Sequence, residues 1–300
     1  MTPEAQALAD YIVRHPDRVL VKEISPTLKI LKYRRKVFYD DLWDNILEEC
    51  RGRVIDNEFN IVVNPFTKIY NYGVESRCPQ IDHHTIVTAY RKVNGFMVSV
   101  TLHEGSLLVT CVGTADSIHT MMAREMMYQQ LCEDLWVENL KFWTGHTLMF
   151  ECVHPDDPHI IPEKPGMYFI GLRPNSWFAG PVDGFGADRV YAWNGIGRMF
   201  NSPPVESWIA PLADILTMNK TASHEGFVVY TADRRRAKMK SPHYLASKAL
   251  ARKADILTLD RQKVDEEFYP LLDHIRSSFA QFNSLSEQER LVYIRQYLNK

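Results

Sequence analysis

No stretch of the sequence approaches the roughly 18 consecutive apolar residues that a membrane span requires, so no membrane partner is expected. No C-x-x-C pair is present either. The five cysteines, at 50, 78, 111, 132 and 152, are odd in number and scattered, which argues against a disulfide frame or a zinc cluster. A reducing, cytoplasmic setting is the expectation. Neither sign of charge dominates: 35 Lys+Arg against 37 Asp+Glu leave −2, which neither advertises nor forbids a polyanionic partner. The opening Met1-Thr2-Pro3-Glu4-Ala5 lacks a basic leader followed by an apolar stretch, so a secretory signal is not expected. Internal repeats and low-complexity linkers are missing, and the composition excludes a coiled coil, a collagen or a disordered tail protein. What remains is 300 residues, 45% hydrophobic and 24% charged, enough for a sizeable core in one large domain or two ordinary ones.

Thr2 before Pro3 reads as an N-cap with proline at the first helical position, opening a helix through about Arg14. Residues 27–36 hold five cations and no acid. Asp40 to Cys50 reads as a helix, with Leu42, Trp43, Ile46 and Leu47 at helical spacing. From Gly52 to Thr114 the period becomes two: 53–56, 61–63, 85–88, 96–100 and 107–110 are strand candidates, separated by turn dipeptides such as Asn64-Pro65, Asn94-Gly95 and Glu104-Gly105. Residues 115–141 look helical, and their Met121, Met122, Met126, Leu131, Leu135 and Trp136 read as core filler. Strands resume at 147–153 and 167–172. A stretch rich in glycine and proline, from Gly171 to Gly197, matches no phosphate-loop spacing and reads as irregular connection. A helix over Val205–Asn219 precedes a strand at Gly226–Tyr230. After Lys240 the chain reads as helical, with Ser286 and Glu289 as a capping box for the last helix. The fold class is α+β with mainly antiparallel sheets, followed by a small helical cap, with the boundary near residue 245.

Lys92-Val93-Asn94-Gly95 joins two predicted strands. As a bare dipeptide, Asn94-Gly95 signals a two-residue hairpin turn. The alternative is a nucleophilic lysine on a rigid strand end, with the glycine letting backbone approach a phosphate. Phe150-Glu151 closes a strand, Glu225-Gly226-Phe227-Val228 enters one, and Lys238-Met239-Lys240 leaves one with both lysines on one strand face. Each is weak alone, because a strand-end glutamate is usually solvated and a K-x-K pair is usually a basic edge. Together and in this order they carry information.

That order resembles the covalent nucleotidyltransferase superfamily of polynucleotide ligases and messenger-RNA capping enzymes, and within it the phage RNA ligase 1 type. Upstream, Glu49-Cys50-Arg51-Gly52 is similar to that family's E-C-R-G signature. Asn64-Pro65-Phe66-Thr67-Lys68-Ile69-Tyr70-Asn71 is similar to its proline-to-lysine-to-aromatic-asparagine segment, and Lys240-Ser241 with Tyr244 extends the last motif. The resemblance covers roughly residues 30–245. It implies a nucleotidyltransferase (adenylation) domain over residues 1–245, built of mainly antiparallel sheets, and a small C-terminal helical domain over 246–300. Two positions depart from the pattern. Most phage ligases carry K-x-D-G where this chain has K-x-N-G, a form similar to that of fungal tRNA ligases. The motif that follows usually has a basic residue before its glycine, whereas Cys111-Val112-Gly113-Thr114 has valine.

The resemblance implies an ATP-dependent RNA ligase: Lys92 attacks the α-phosphorus of ATP to give lysyl-AMP, AMP passes to a 5′-phosphate end, and a 3′-hydroxyl displaces it. A lysine nucleophile must be neutral although its ordinary pKa is about 10.4, so a field of cations from Lys238, Lys240, Arg51 and a bound metal is expected around it. By similarity Lys238 and Lys240 contact the α-phosphate, and Arg51 and Lys68 face the outgoing phosphates. Asn94 and Gly95 belong to the nucleotide-binding set. Mg2+ or Mn2+ is expected with the ATP; Glu225 is assigned to it, while Glu151 takes a ribose hydroxyl or a metal-bound water. Tyr70 or Tyr244 would line the nucleoside pocket, or else be core tyrosines with satisfied hydroxyls.

Residues 233–253 carry eight basic residues against one acid, and a nucleic-acid backbone contact is expected there. The implied partner is RNA with 5′-phosphate and 3′-hydroxyl ends, with no evident protein partner, and the phage-type likeness carries an origin in a phage acting in host cytoplasm. A DNA ligase or a capping guanylyltransferase shares the lysine chemistry, and an inactive module that only binds RNA ends is the alternative outside enzymes. Eleven histidines form no H-E-x-x-H.

Overall fold

The computed structural model describes residues 1–177, 186–251 and 268–298, with eleven helices and twelve strands among them. The chain forms two compact units, each assembled from separated stretches. The first takes Met1–Lys68, Gly95–Pro158 and Glu163–Val205; the second takes Ile69–Asn94, His159–Pro162 and Glu206–Lys300.

The first unit opens with α1 (Pro3–Arg14), capped as expected by Thr2, whose Oγ1 accepts from Ala5 N. Strands β1 (Val19–Glu23) and β2 (Leu28–Tyr33) follow, then the short helices α2 (Arg35–Tyr39) and α3 (Asn45–Glu49), then β3 (Arg51–Asp56) and β4 (Ile61–Val63). The basic stretch over 27–36 therefore holds a strand and a helix start. The helix expected over Asp40–Cys50 is confined to α3, because Asp44 caps it by accepting from Ile46 N and Leu47 N. The four strands form an antiparallel sheet in the order β1-β2-β3-β4, around Leu28, Ile30, Val54, Val62 and Val63.

The chain then gives β5 (Ile86–Arg91) to the second unit and returns to the first with β6 (Phe96–His103), β7 (Ser106–Cys111), α4 (Ile118–Gln130), α5 (Glu133–Lys141), β8 (His146–Val153), β9 (Gly166–Pro174) and α6 (Gly186–Met199). These strands make a sheet in the order β7-β6-β8-β9. An aromatic cluster of Trp136, Phe150, Phe169, Trp193 and Phe200, with ring centroids 4.7–5.8 Å apart, packs the helices on it. The single helix expected over 115–141 is broken at Leu131-Cys132. Of its methionines Met126 and Met127 are buried, while Met121 is exposed. The glycine-rich stretch expected to be irregular contains α6; residues 178–185 within it lie outside the described residues.

The second unit adds β10 (Ser207–Pro211), α7 (Leu212–Thr221), β11 (Gly226–Tyr230), β12 (Arg236–Lys240), α8 (Pro242–Ala251), α9 (Tyr269–Ser277), α10 (Phe279–Ser284) and α11 (Glu287–Leu298). The helix expected over Val205–Asn219 starts later, at Leu212, because Ser207–Pro211 pairs with β5 as an edge strand, a position that tolerates proline. The sheet runs β10-β5-β11-β12, entirely antiparallel. Ala246, Phe268, Leu271, Leu272, Ile275, Phe282 and Ile294 form the helical core. Ser286 and Glu289 make the expected capping box. All five cysteines are unpaired thiols, and burial pushes Cys50 and Cys111 up to about 12. No helix among the described residues is long and apolar enough to cross a membrane.

Candidate active site

In the second unit, β11 lies between β5 and β12 and brings three motifs together. Lys92 follows the last residue of β5, and its amide donates to the Gly226 carbonyl at 2.8 Å, extending the ladder by one step. Lys240 and Lys238 stand opposite Gly226 and Val228 on the other side. Gly226 has φ +136°, and a methyl carbon built on it would lie 2.0 Å from the Met239 carbonyl oxygen. No side chain fits where β12 crosses the start of β11. Ser241 fastens this crossing: its amide donates to the Glu225 carbonyl at 2.8 Å and its hydroxyl to the His224 carbonyl at 2.6 Å.

Glu225 is 3% exposed and is the hub of the cluster. Its Oε2 accepts from Lys92 Nζ at 2.9 Å and from Asn94 Nδ2 at 2.8 Å, and Lys240 Nζ lies 3.7 Å from its Oε1. Burial alone would push the carboxyl up. The Lys92 and Lys240 ammonium groups and the bonds from Lys92 and Asn94 outweigh it, so the group is held below its ordinary value and stays ionised. Asn94 has its second bond at the other end, where Oδ1 accepts from Ile161 N at 3.0 Å. Lys240 Nζ also sits 4.9 Å from the centre of the Tyr244 ring.

Lys238 is placed by main chain. Its amide donates to Tyr70 O at 3.0 Å and its carbonyl accepts from Tyr72 N at 2.8 Å, so the segment after Lys68 lies alongside β12 with Asn71 bridged to Lys238 in parallel. The proline-to-asparagine segment and the paired lysines, far apart in sequence, are thereby neighbours. Both candidate nucleoside-pocket tyrosines are buried. The Tyr70 hydroxyl accepts from Arg77 Nε at 3.2 Å, and the Tyr244 ring carries the lysine contacts, Lys248 Nζ being 5.6 Å from its centre. In the basic run, Arg235 is turned onto Asp233 at 2.8 Å and onto the Gln80 carbonyl. Arg234 is exposed, and Arg252 and Lys253 lie outside the described residues.

The remaining predicted residues stand in the first unit. Gly95 does not turn a hairpin, since β5 and β6 belong to different sheets. A methyl carbon on it would meet the Cys152 carbonyl oxygen at 2.2 Å, so its bare backbone serves the approach of β8. Its amide donates to Glu151 Oε1 at 3.2 Å. Lys68 is buried, with Nζ 4.3 Å from the Trp43 ring centre and 5.8 Å from that of Phe38. Arg51 lies over the Tyr33 ring at 5.8 Å. The glutamate of the E-C-R-G segment is structural: Glu49 receives Arg173 in a two-pronged pair at 2.7 and 2.8 Å and also holds Arg53.

Among the described residues no three His, Cys, Asp or Glu side chains gather as a metal cluster. The donor set of the second unit nevertheless fits a cation that arrives with phosphate: Mg2+ is commonly held by one or two carboxylates plus substrate phosphates and water, and Glu225 supplies one. The lysines around Glu225 fit the phosphate.

No protein-family profile matches the sequence, and no curated protein does. Solved structures do. An archaeal ATP-dependent RNA ligase, form 2, superposes with a TM-score of 0.61 at 19% identity, covering 97% of this chain and 76% of that one. Form 1 gives a TM-score of 0.61 at 18% identity, covering 100% and 80%. A candidate ATP-dependent DNA ligase from Aquifex aeolicus gives 0.59 at 14% identity, covering 98% and 77%. The chain shares the fold of these ATP-dependent ligase structures. Of the residues singled out from sequence, the structure gathers Lys92, Asn94 and Lys240 on Glu225 and sets Lys238 on the same strand as Lys240. Sequence reasoning missed Asn219, whose Nδ2 holds the Lys240 carbonyl at 3.1 Å, and Trp43 under Lys68. Neither has a local signal, because each acts through a partner distant in sequence.

Proposed function

We propose that the chain is an ATP-dependent RNA ligase that joins 5′-phosphate and 3′-hydroxyl ends through a lysyl-AMP intermediate and an adenylylated 5′ end. The observation that carries this reading is the placement of Lys92 Nζ and Lys240 Nζ on one buried carboxylate, Glu225, at 2.9 and 3.7 Å. A binding module has no use for a lysine held at a strand end by a buried acid and flanked by a second ammonium group.

In this proposal Lys92 Nζ, after giving up its extra proton to water, forms the bond to the α-phosphorus as the bond to pyrophosphate breaks. Lys240 and Lys238 take the charge that grows on the phosphate oxygens, the main task in phosphoryl transfer. Glu225 holds Lys92 in line and is the carboxylate that would hold Mg2+ or Mn2+ brought in with the nucleotide. The cation supplies further neutralisation of the leaving phosphates. Arg51 and Lys68 are proposed for the outgoing phosphates and Glu151 for a ribose hydroxyl or a metal-bound water. The division into an adenylation domain over 1–245 and a helical domain over 246–300, a cytoplasmic setting and RNA contact along 233–253 belong to the same proposal.

The test is incubation with α-labelled ATP or GTP and Mg2+, denaturation, and detection of label on the chain. Label from ATP that disappears in Lys92→Ala supports the ligase. Label from GTP alone moves the reading to capping, and absence of label from both ends the enzyme reading. Sealing of all-RNA against all-DNA ends then separates an RNA ligase from a DNA ligase.

A further inference from the structure

Residues 64–70 lie in no helix or strand, so the course of the segment that leads to Lys68 depends on bonds from other elements. Strands β8 and β9 supply two of them from one cross-strand pair, Thr147 and Arg173. Thr147 Oγ1 accepts from Asn64 N at 2.7 Å, and Arg173 Nη1 donates to Pro65 O at 3.0 Å. Pro65 is buried and has no amide hydrogen, so its carbonyl is the main-chain group by which it is held.

The same Nη1 donates to Glu49 Oε2 at 2.7 Å, while Nη2 donates to Oε1 at 2.8 Å. One guanidinium thus grips the last residue of α3 and the segment that follows β4. Its donors stand in a fixed planar fork, which suits this three-way tie better than the single point of an ammonium group. A second fastening joins the same two stretches, because Lys68 N donates to the Glu48 carbonyl at 2.9 Å. Arg53 also holds Glu49, but its other bond, at 2.9 Å, goes to the side chain of Asn64 and not to main chain. Lys68 stands at the end of this frame, buried, with its ammonium 4.3 Å from the Trp43 ring centre.

We infer that Arg173 is a positioning residue for Lys68: by tying Glu49 to Pro65 it fixes the main chain from which the Lys68 ammonium is held over Trp43. Arg173 is itself buried and acts through Lys68, not on a ligand. It stands outside every motif of the series. The consequence for ligands rests on the proposed ligase reading, in which Lys68 faces the outgoing phosphates of ATP; the placement of Lys68 can be measured without that reading.

The full chain is treated with an amine-acetylating reagent, and the rate at each lysine is followed by mass spectrometry. Wild type, Arg173→Lys, Glu49→Asp and the control Arg53→Lys are compared, with Lys248, buried in the second unit, as the reference site. Glu49→Asp keeps the charge but draws the carboxylate back by a methylene, so Arg173 can no longer hold it and Pro65 together; it carries the test if Arg173→Lys does not fold. Acetylation of Lys68 relative to Lys248 is expected to rise several-fold in both variants and to stay near wild type in Arg53→Lys. Equilibrium dialysis then compares inorganic tripolyphosphate with AMP, which lacks the outgoing phosphates. Arg173→Lys is expected to weaken tripolyphosphate about tenfold and to leave AMP unchanged. An unchanged rate at Lys68, an equal acceleration at Lys248, equal weakening of AMP and tripolyphosphate, or wild type that binds no tripolyphosphate overturns the inference. Absence of label on Lys92 with tripolyphosphate still bound ends the ligase reading alone.

Discussion

Asn94 and Glu225 are joined by one buried hydrogen bond, 2.8 Å from Nδ2 to Oε2. It is a bond that only the amide form of residue 94 can make, because an aspartate would set a second carboxylate against Glu225. Asn94→Asp is therefore expected to slow formation of the labelled enzyme tenfold or more and to lower the melting temperature at pH 8. The deficit shrinks as pH falls, since one of two facing carboxyls then takes up a proton. Melting curves of both proteins from pH 5 to pH 8 check this, and a pH-independent difference counts against it.

Glu225 itself makes stability depend on pH. Its carboxyl is held below the ordinary 4.5, so its contribution is fully present above about pH 4.5 and is lost as pH falls through the folded-state value. Glu225→Gln is expected to cost about 3 kcal/mol at neutral pH, the low end for breaking a buried pair, because Lys92 is partly exposed. In urea titrations from pH 3 to pH 7, the gap between wild type and Glu225→Gln should close on the acid side. Parallel curves would refute the linkage.

Lys92→Arg separates folding from chemistry. A guanidinium keeps the charge that pairs with Glu225, but it stays protonated and cannot act as a nucleophile. The variant is expected to melt within a few degrees of wild type and to take no label from ATP. Labelled Lys92→Arg would mean that the nucleophile is another residue.

Gly95→Ala places a carbon 2.2 Å from the Cys152 carbonyl oxygen, where backbone has no room to yield. A loss of at least about 2 kcal/mol in urea unfolding is expected. Wild-type stability in that variant would contradict the close approach of β8.

The sequence made most of the strands and the members of the lysine cluster legible, because alternation and motif order are local signals. Partnership was not. Asn94-Gly95 has the composition of a hairpin turn, yet it carries the chain from β5 to a different sheet, and only the bonds of Asn94 to Glu225 and Ile161 explain why asparagine stands there. The helix expected over Asp40–Cys50 was cut short by one side chain, Asp44, whose capping bonds outweigh helical spacing. The edge strand β10 was masked by its proline and by the helix that follows it. Lys32 looked like one charge in a basic run; its neighbour, the Gly113 turn, is distant in sequence and only the fold brings it beside the lysine.

The strand order β10-β5-β11-β12 also fixes when the lysine site forms as the chain is synthesised. Both ladder partners of β5 lie far downstream, so Lys92 leaves the ribosome long before β10, Glu225 and β11 exist, and Lys240 follows later still. Non-local pairing of this kind is slow and waits for the distant strands. An unfinished chain ending before residue 225 thus carries the lysine without the acid that positions it. Under the proposed function, the nascent chain is inert toward nucleotide until Glu225 and Lys240 have both been made.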